Sequence, residues 1–490
     1  MPAKSSKNLE QVRNYIGGEW VTATGSQEKI TDPAVDTVIA DMRFTTQEGV
    51  DAAVSSAVTG FSEWSETPVV ERVQYLFDLK TELESMVDEI SSTLSAEHGK
   101  TVAEAKGELK RGIENVEVAA GMPSLLRQKS GTVESVSVGI DEFAIRKPLG
   151  VYTAITPFNF PAMIPLWFLP YAVATGNTFI LKPSEKVPLT AQLLFDAIDR
   201  IGLPPGVANL CNGGAATVDA LLTHPNIEGV SFVGSTPVAQ HVYETAASTG
   251  KRVQAQGGAK NFAVVTPSAK LDKVVPNLVG SVFGNAGQRC LANDIVIAVD
   301  SVADRLESKL IEAVATLQVG RGSDPTVDVG PLITRESRDR VELLVNDAVN
   351  EGAEVLVDGR DVRPNDLGGY FMGPTLIKDV TTSMDIFNQE IFGPVGCLMD
   401  AEDLDEAIDV VNSSEFGNAS TLYTNSGDAA RQYRNRVEAG NIGINVGVCA
   451  PMGFFHFGGR KGSFFGDLHA QGTDAVQFYT DKTILIERWL

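Results

Sequence analysis

The 490-residue sequence predicts an α/β fold of two or three domains, and three observations carry that expectation. After Pro148, apolar strand-like runs at 150–156, 178–181, 207–211 and 229–233 alternate with stretches of helical apolar spacing at 159–174, 189–201 and 236–249. Strands and helices in that rhythm build a parallel sheet covered by helices. A second α/β stretch runs from 261 to about 445, with helices expected near 273–286, 304–319, 335–351 and 404–413. Finally, 43% of the residues are apolar and no repeat or low-complexity linker interrupts them, so core material is ample and domain boundaries are soft.

The remaining elements follow the same logic. Residues 14–21 alternate around Gly17-Gly18 as a β-hairpin does. Segments 46–60, 66–98 and 103–126 carry amphipathic helical spacing, with Thr46 and Glu48 marking a start and Arg111 on the last. Residues 132–145 alternate in β fashion and suit an arm strand used in assembly; 475–490 alternate again and need a strand partner. Residues 148–181 contain no charge and are long enough to cross a bilayer, but Pro161, Pro165, Pro170 and the Thr175-Gly176-Asn177 break favour a buried helix followed by a buried strand.

Composition excludes several functions. A net charge of −23, spread along the chain, repels nucleic acid and anionic membranes. Cys211, Cys290, Cys397 and Cys449 are too few and too scattered for a disulfide framework, and without a CxxC pair no metal site is expected. Reduced thiols point to the cytoplasm. The first ten residues lack the apolar core of a signal peptide or anchor.

Several stretches can carry chemistry. Phe283-Gly284-Asn285-Ala286-Gly287-Gln288-Arg289-Cys290 delivers a thiol from a run of small and amide residues, which lets backbone N–H groups approach a reacting carbonyl. Arg289 can lower the thiol pKa or hold an anionic substrate. Free cysteines are also ordinary small core residues, and that reading stands beside the catalytic one. Pro157-Phe158-Asn159-Phe160-Pro161 puts one amide in a proline-braced apolar loop, where its NH2 can serve an oxyanion or merely brace the core. Gly234-Ser235 lies where a strand turns into a helix, the setting for a phosphate, although Ala239 replaces a later glycine of the dinucleotide pattern. Lys182 and Glu185 follow a strand, at an edge where ligands gather or where a solvated loop runs. Gln256-Gly257-Gly258 is a glycine-rich turn, and Glu390-Ile391-Phe392-Gly393-Pro394 sets a carboxylate before a rigid one.

Taken together and in order, these six segments resemble the aldehyde dehydrogenase superfamily over nearly the whole chain. The resemblance implies a Rossmann-type NAD-binding domain (1–131 and 149–257), an α/β catalytic domain (258–445), and an oligomerisation arm with a C-terminal segment (132–148 and 446–490), assembled as a homo-tetramer or homo-dimer. It makes Cys290 the nucleophile that forms a thiohemiacetal, with Asn159 and the Cys290 N–H on its oxyanion. It assigns Thr156, Phe158, Lys182, Glu185, Gly234, Ser235, Glu390 and Phe392 to the cofactor. Glu185 at the adenosine ribose favours NAD over NADP, because a 2′-phosphate would be repelled.

Hydrolytic members carry a glutamate where this sequence has Gln256, and an amide cannot take a proton from water. Coenzyme A then becomes the expected acyl acceptor. In this the chain resembles the CoA-acylating, methylmalonate-semialdehyde-oxidising branch, where the position is also an amide, usually Asn. Arg111 and Arg289 match the arginines that hold the substrate carboxylate there, a guanidinium being suited to a two-pronged clamp; pairing of Arg111 with Glu108 or Glu114 on its own helix is the competing account. The expected activity is oxidation of methylmalonate or malonate semialdehyde to propionyl-CoA or acetyl-CoA with decarboxylation. Its rivals are a hydrolytic semialdehyde dehydrogenase, such as one for succinate semialdehyde, and a non-catalytic scaffold keeping the fold.

Overall fold

Val151–Ile155 and Thr178–Lys182 are buried at every position, as strands covered on both faces must be. They form the centre of an eight-stranded sheet in a computed structural model that describes residues 10–364 and 367–489. Residues 1–9, within the stretch expected to be neither signal nor anchor, and residue 490, at the end of the last alternating run, lie outside the described residues.

Across this sheet the order is Phe464–Gly466, Arg252–Gln256, Ile227–Val233, Val151–Ile155, Thr178–Lys182, Ala208–Leu210, Asn14–Ile16, Glu19–Val21. The five middle strands are parallel, and the first of them in sequence, Val151–Ile155, has Ile227–Val233 on one side and Thr178–Lys182 on the other. The order in which successive strands are added therefore reverses beside Val151–Ile155, which opens a crevice at the carboxyl ends. A seven-stranded sheet follows, ordered Glu354–Val357, Thr375–Lys378, Val395–Ala401, Ile295–Val299, Phe262–Val265, Ala419–Tyr423, Asn441–Ile444, parallel except at its first strand. Only residues 257–261 separate Gln256, the end of the strand Arg252–Gln256 in one sheet, from Phe262, the first residue of the other.

A third, antiparallel sheet joins Gly131–Ser137, Ile140–Pro148 and Thr480–Arg488. The stretch 132–145 is thus two strands rather than one, because Gly139 turns the chain at φ +68°. The terminal alternation also starts later than expected. Gly472–Phe478 is a helix whose Ala475, Val476 and Phe478 are buried, and the strand begins at Thr480.

Helices depart from expectation where the chain must turn. The 66–98 run divides at Met86 into Val69–Ser85 and Val87–His98, and the 103–126 run divides at Gly121 into Val102–Ala120 and Met122–Lys129. In the uncharged stretch the helix covers only Pro165–Thr175, buried throughout and ended by Gly176 at φ +97°. Residues 156–164 before it stay irregular and carry Asn159. No helix among the described residues is long and apolar enough to cross a membrane.

Candidate functional site

The crevice of the eight-stranded sheet collects Thr156, Lys182, Gly234, Ser235 and Gln256 from the carboxyl ends of its strands. Thr156 N–H donates to Lys182 O at 3.0 Å, while the buried Thr156 hydroxyl has no partner. Lys182 is only 4% exposed, which excludes the solvated-loop reading; its Nζ lies 3.3 Å from Glu185 Oε2. Burial pushes the ammonium down, and Glu185 opposes that shift. Burial also pushes the Glu185 carboxyl up, but the neighbouring Lys182 charge, a backbone N–H and Lys186 hold it below the usual carboxylate range.

Ser235 is the N-cap of Thr236–Ser248, and its side chain makes no capping bond. Free first-turn N–H groups, an uncommitted Ser235 hydroxyl, an orphaned Thr156 hydroxyl and a buried Lys–Glu pair on one crevice fit the phosphates and ribose of a dinucleotide. Among the described residues no group of three or more His, Cys, Asp or Glu side chains is placed to hold a metal ion.

Glu390 reaches this crevice from the second sheet's loops. Its Oε1 accepts from Ala259 N–H at 3.0 Å, and a Cβ on Gly258 would stand 2.8 Å from Oε2, so a side chain there would displace the carboxylate. Burial, with the Asp294 charge adding, pushes the Glu390 carboxyl up to about 7, against Arg340 and Lys260. Phe392 sits at φ +51°, its loop held by Arg340 donating to Glu390 O and Ile391 O. The Phe392 ring meets Phe158 edge-on at 5.8 Å, and Phe158 stacks on His98 at 5.9 Å.

The thiol is delivered by a strained turn. Asn285, Ala286 and Gly287 take φ +56°, +51° and +70° in succession, which costs energy that neighbouring contacts must offset. Gly287 admits no side chain, since a Cβ would lie 1.9 Å from Gly393 O. Gln288 braces the turn by accepting from Ile333 N–H at 3.0 Å and donating to Asn285 O and Pro331 O. Asn159 Nδ2 donates to Gln288 O at 3.1 Å, so the proline-braced loop and the thiol turn meet two residues from Cys290.

Cys290 opens on a cavity of about 260 Å³ whose walls include Glu104, Arg111, Trp167, Arg289 and Phe457. Burial pushes its thiol up to about 12, helped by the Glu390 charge; the residue's own N–H and Arg289 pull the other way and are outweighed. The expectation that Arg289 lowers the thiol pKa therefore holds in direction but not in net effect.

Both guanidiniums line the cavity already paired. Arg289 Nη2 lies 3.2 Å from Glu104 Oε1, and Arg111 Nη1 lies 2.7 Å from Glu114 Oε2, with Arg111 Nη2 donating to Pro451 O. The pairing of Arg111 with Glu114 on its own helix is thus real. Glu108 instead turns inward, 2.6 Å from Lys100 Nζ, and accepts from Ala162 and Met163 N–H. Gln256 sits behind the wall, with Nε2 donating to Phe457 O at 3.3 Å.

Sequence reasoning missed Glu104, Lys100, Asn261 and Asn418, and named Glu108 only as a partner for Arg111, whereas it pairs with Lys100. Thr101 and Glu104 form a capping box on Val102–Ala120, a T-x-x-E pattern that was legible as a helix start. That Glu104 also accepts from Asn285 N–H and Arg289 was not legible, because those partners lie about 180 residues away. Asn261 and Asn418 both donate to Cys290 O and have no local signature.

The sequence profile of the aldehyde dehydrogenase family matches residues 20–484. Malonate-semialdehyde dehydrogenase 1 of Oceanobacillus iheyensis is 46% identical over 485 residues, and malonate-semialdehyde dehydrogenase 2 of Shouchella clausii 44% over 486, each alignment covering 99% of both chains. Among solved structures, the methylmalonate-semialdehyde dehydrogenase of Oceanimonas doudoroffii superposes with a TM-score of 0.97 at 41% identity, covering 98% of this chain and 99% of that one. A Sinorhizobium meliloti protein complexed with NAD, described as a methylmalonate-semialdehyde dehydrogenase, gives 0.97 at 40%, covering 98% of each. A match of this extent, on a crevice and thiol cavity built as above, means that the chain belongs to the aldehyde dehydrogenase family.

Proposed function

We propose that this chain catalyses the NAD-dependent, CoA-acylating oxidation of malonate or methylmalonate semialdehyde to acetyl-CoA or propionyl-CoA, with loss of CO2. The observation that carries the reading is the cavity that Cys290 shares with Arg111 and Arg289. An aldehyde with a carboxylate at its far end can place its carbonyl at Sγ while a guanidinium takes the carboxylate. In a chain of net charge −23 those two cations bring positive charge to the cavity, and a substrate carboxylate would take the place of Glu104 or Glu114 on one of them.

The Cys290 thiol gives its proton to solvent, and the thiolate adds to the aldehyde carbon, forming a C–S bond as the carbonyl π pair moves onto oxygen. The oxyanion receives the Cys290 N–H and the Asn159 N–H that is not given to Gln288 O. Lys182, Glu185, Ser235, the Thr156 hydroxyl and Glu390 would hold NAD, with Gly234 leaving room and Phe158 and Phe392 as walls, and the bound cofactor would accept the hydride as the C–H bond of the adduct breaks. Cys290 then carries a thioester with a β-carboxylate. Breaking the carboxylate C–C bond releases CO2 and sends its electron pair into the thioester carbonyl, and the carbon left behind takes up a proton. The coenzyme A thiolate attacks the acyl carbon and frees Cys290.

Water is a poor competitor for that acyl group. Gln256 is an amide, and the carboxylates on the cavity, Glu104 and Glu108, are committed to Arg289, Lys100 and backbone N–H groups. The exposed apolar residues Val133, Val138, Ile484 and Ile486 of the antiparallel arm support a homo-dimer or homo-tetramer, and four unpaired cysteines support a cytoplasmic setting.

The test is an assay of semialdehyde, NAD and coenzyme A, each omitted in turn, with products identified by mass. Acetyl-CoA or propionyl-CoA with CO2, and steady NADH formation only when coenzyme A is present, is the expected outcome. Rapid steady turnover to free acid without coenzyme A overturns the reading.

A further inference from the structure

We infer that Asn261 and Asn418 are positioning residues for the nucleophile, holding the main-chain carbonyl of Cys290 between two side-chain amides and so setting where its thiol and N–H point. The inference rests on the reading of Cys290 as nucleophile. Asn261 Nδ2 donates to Cys290 O at 3.0 Å and Asn418 Nδ2 donates to the same oxygen at 2.6 Å. The asparagines are 2% and 3% exposed. Neither is among the residues that line the thiol cavity, and their amide N–H groups are given to Cys290 O and Ala292 O, so they act through Cys290 rather than on substrate.

Their convergence follows from topology. Asn261 immediately precedes Phe262–Val265 and Asn418 immediately precedes Ala419–Tyr423, and these strands are parallel neighbours in register Phe262 with Ser420. By that register Asn261 lies opposite Ala419 and Asn418 one residue further out, so the two amides leave adjacent strands one residue apart at the amino edge and meet at the same oxygen. Asn261 is itself fixed, since its Oδ1 accepts from Ala419 N–H at 3.0 Å and its Nδ2 also donates to Ala292 O at 2.9 Å.

Cys290 needs such an anchor because regular structure does not hold it. Residues 288–294 belong to no helix or strand, and the turn before them is left-handed at three successive residues. Rotation of the 290–291 peptide would swing its carbonyl away and strand two buried N–H donors, which is costly without water to replace the acceptor. With that rotation blocked, the Cys290 backbone is pinned on its carboxyl side. On the amino side, Gln288 O is held by Asn159 and Asn285. Sγ and the Cys290 N–H are thereby held in a fixed relation to one another and to the cavity that Cys290 lines.

The test compares Asn418→Asp and Asn418→Ala in the full chain by three readouts: kcat for NADH formation, KM for NAD, and the pH dependence of Cys290 alkylation by iodoacetamide followed by mass. Both variants are expected to lose at least about tenfold in kcat with KM for NAD within about twofold. Asn418→Asp should lose more than Asn418→Ala and move alkylation to higher pH, because its carboxylate faces a carbonyl oxygen whereas alanine leaves only a gap. Should Asn418→Ala fail to accumulate, Asn418→Gln, which keeps the amide one methylene too far out, is expected to show the same loss. A space-filling role predicts the reverse order, with the isosteric Asp harmless. That order, or wild-type kcat and alkylation in both variants, overturns the inference. Alkylation requires neither semialdehyde nor coenzyme A, so its outcome does not depend on the substrate class.

Discussion

The carboxyl edge of the eight-stranded sheet and the amino edge of the seven-stranded sheet face one another across the active-site region, yet they are assembled in different ways. At the first edge, Thr156 and Gly234-Ser235 follow directly on parallel strands, Lys182 ends one, and Glu185 is three residues from Lys182, its partner. A general rule of parallel sheets puts ligands there, and local sequence supplies the groups. At the second edge, the residues around Cys290 arrive from positions 104, 111, 159, 261, 289 and 418, and few of their contacts are local. The cofactor side is thus a property of strand ends, and the thiol side is a property of packing between distant segments. Substitutions on one side should leave the other readout intact.

The sharpest separation comes from Cys290→Ala. NADH formation should fall by about a thousandfold or more, as when a covalent nucleophile is removed. NAD affinity, followed by titration calorimetry, should stay within about twofold. A variant that kept turning over would remove Cys290 as nucleophile, and one that lost NAD binding would show that the two edges are not independent.

Glu185→Ala probes the opposite edge. The loss of charge-assisted hydrogen bonds to a ribose, at a carboxylate about one-third exposed, should weaken NAD by about tenfold, close to 1.4 kcal/mol. The rate of Cys290 alkylation without NAD should not move. A changed alkylation rate would mean that the Lys182–Glu185 pair reaches into the thiol cavity.

The smallest effect is expected at Glu390, the one carboxylate that belongs to both sides. Burial is the main reason the thiol sits at about 12, so Glu390→Gln should lower it only in part and speed alkylation a few-fold. Because Glu390 itself titrates near 7, its charge opposes the thiolate above that pH and fades below it, and the gap between wild type and variant should widen as pH rises through 7. Stability follows the same carboxyl. Its pKa is raised on folding, from an ordinary 4.5 to about 7, so its contribution is complete below 4.5 and is lost as pH rises through 7. Melting scans from pH 5 to 8 should accordingly fall less steeply for Glu390→Gln.

The sequence by itself determined the fold class, the strand–helix rhythm after Pro148 and the candidate groups for the chemistry. Apolar periodicity and glycine turns are local properties, and Cys290, Asn159, Lys182, Glu185 and Glu390 each stand in a recognisable local setting. Only the tertiary structure decided that the uncharged stretch yields a helix just eleven residues long, that the terminal alternation hides a buried helix, and that Arg111 and Arg289 reach the thiol cavity already paired with Glu114 and Glu104. The physical reason is range. A hydrogen bond from Asn418 to Cys290 spans 128 residues of chain, and an amide of that kind reads in sequence like any other polar residue before a strand. Its partner exists only once two parallel strands have been laid side by side.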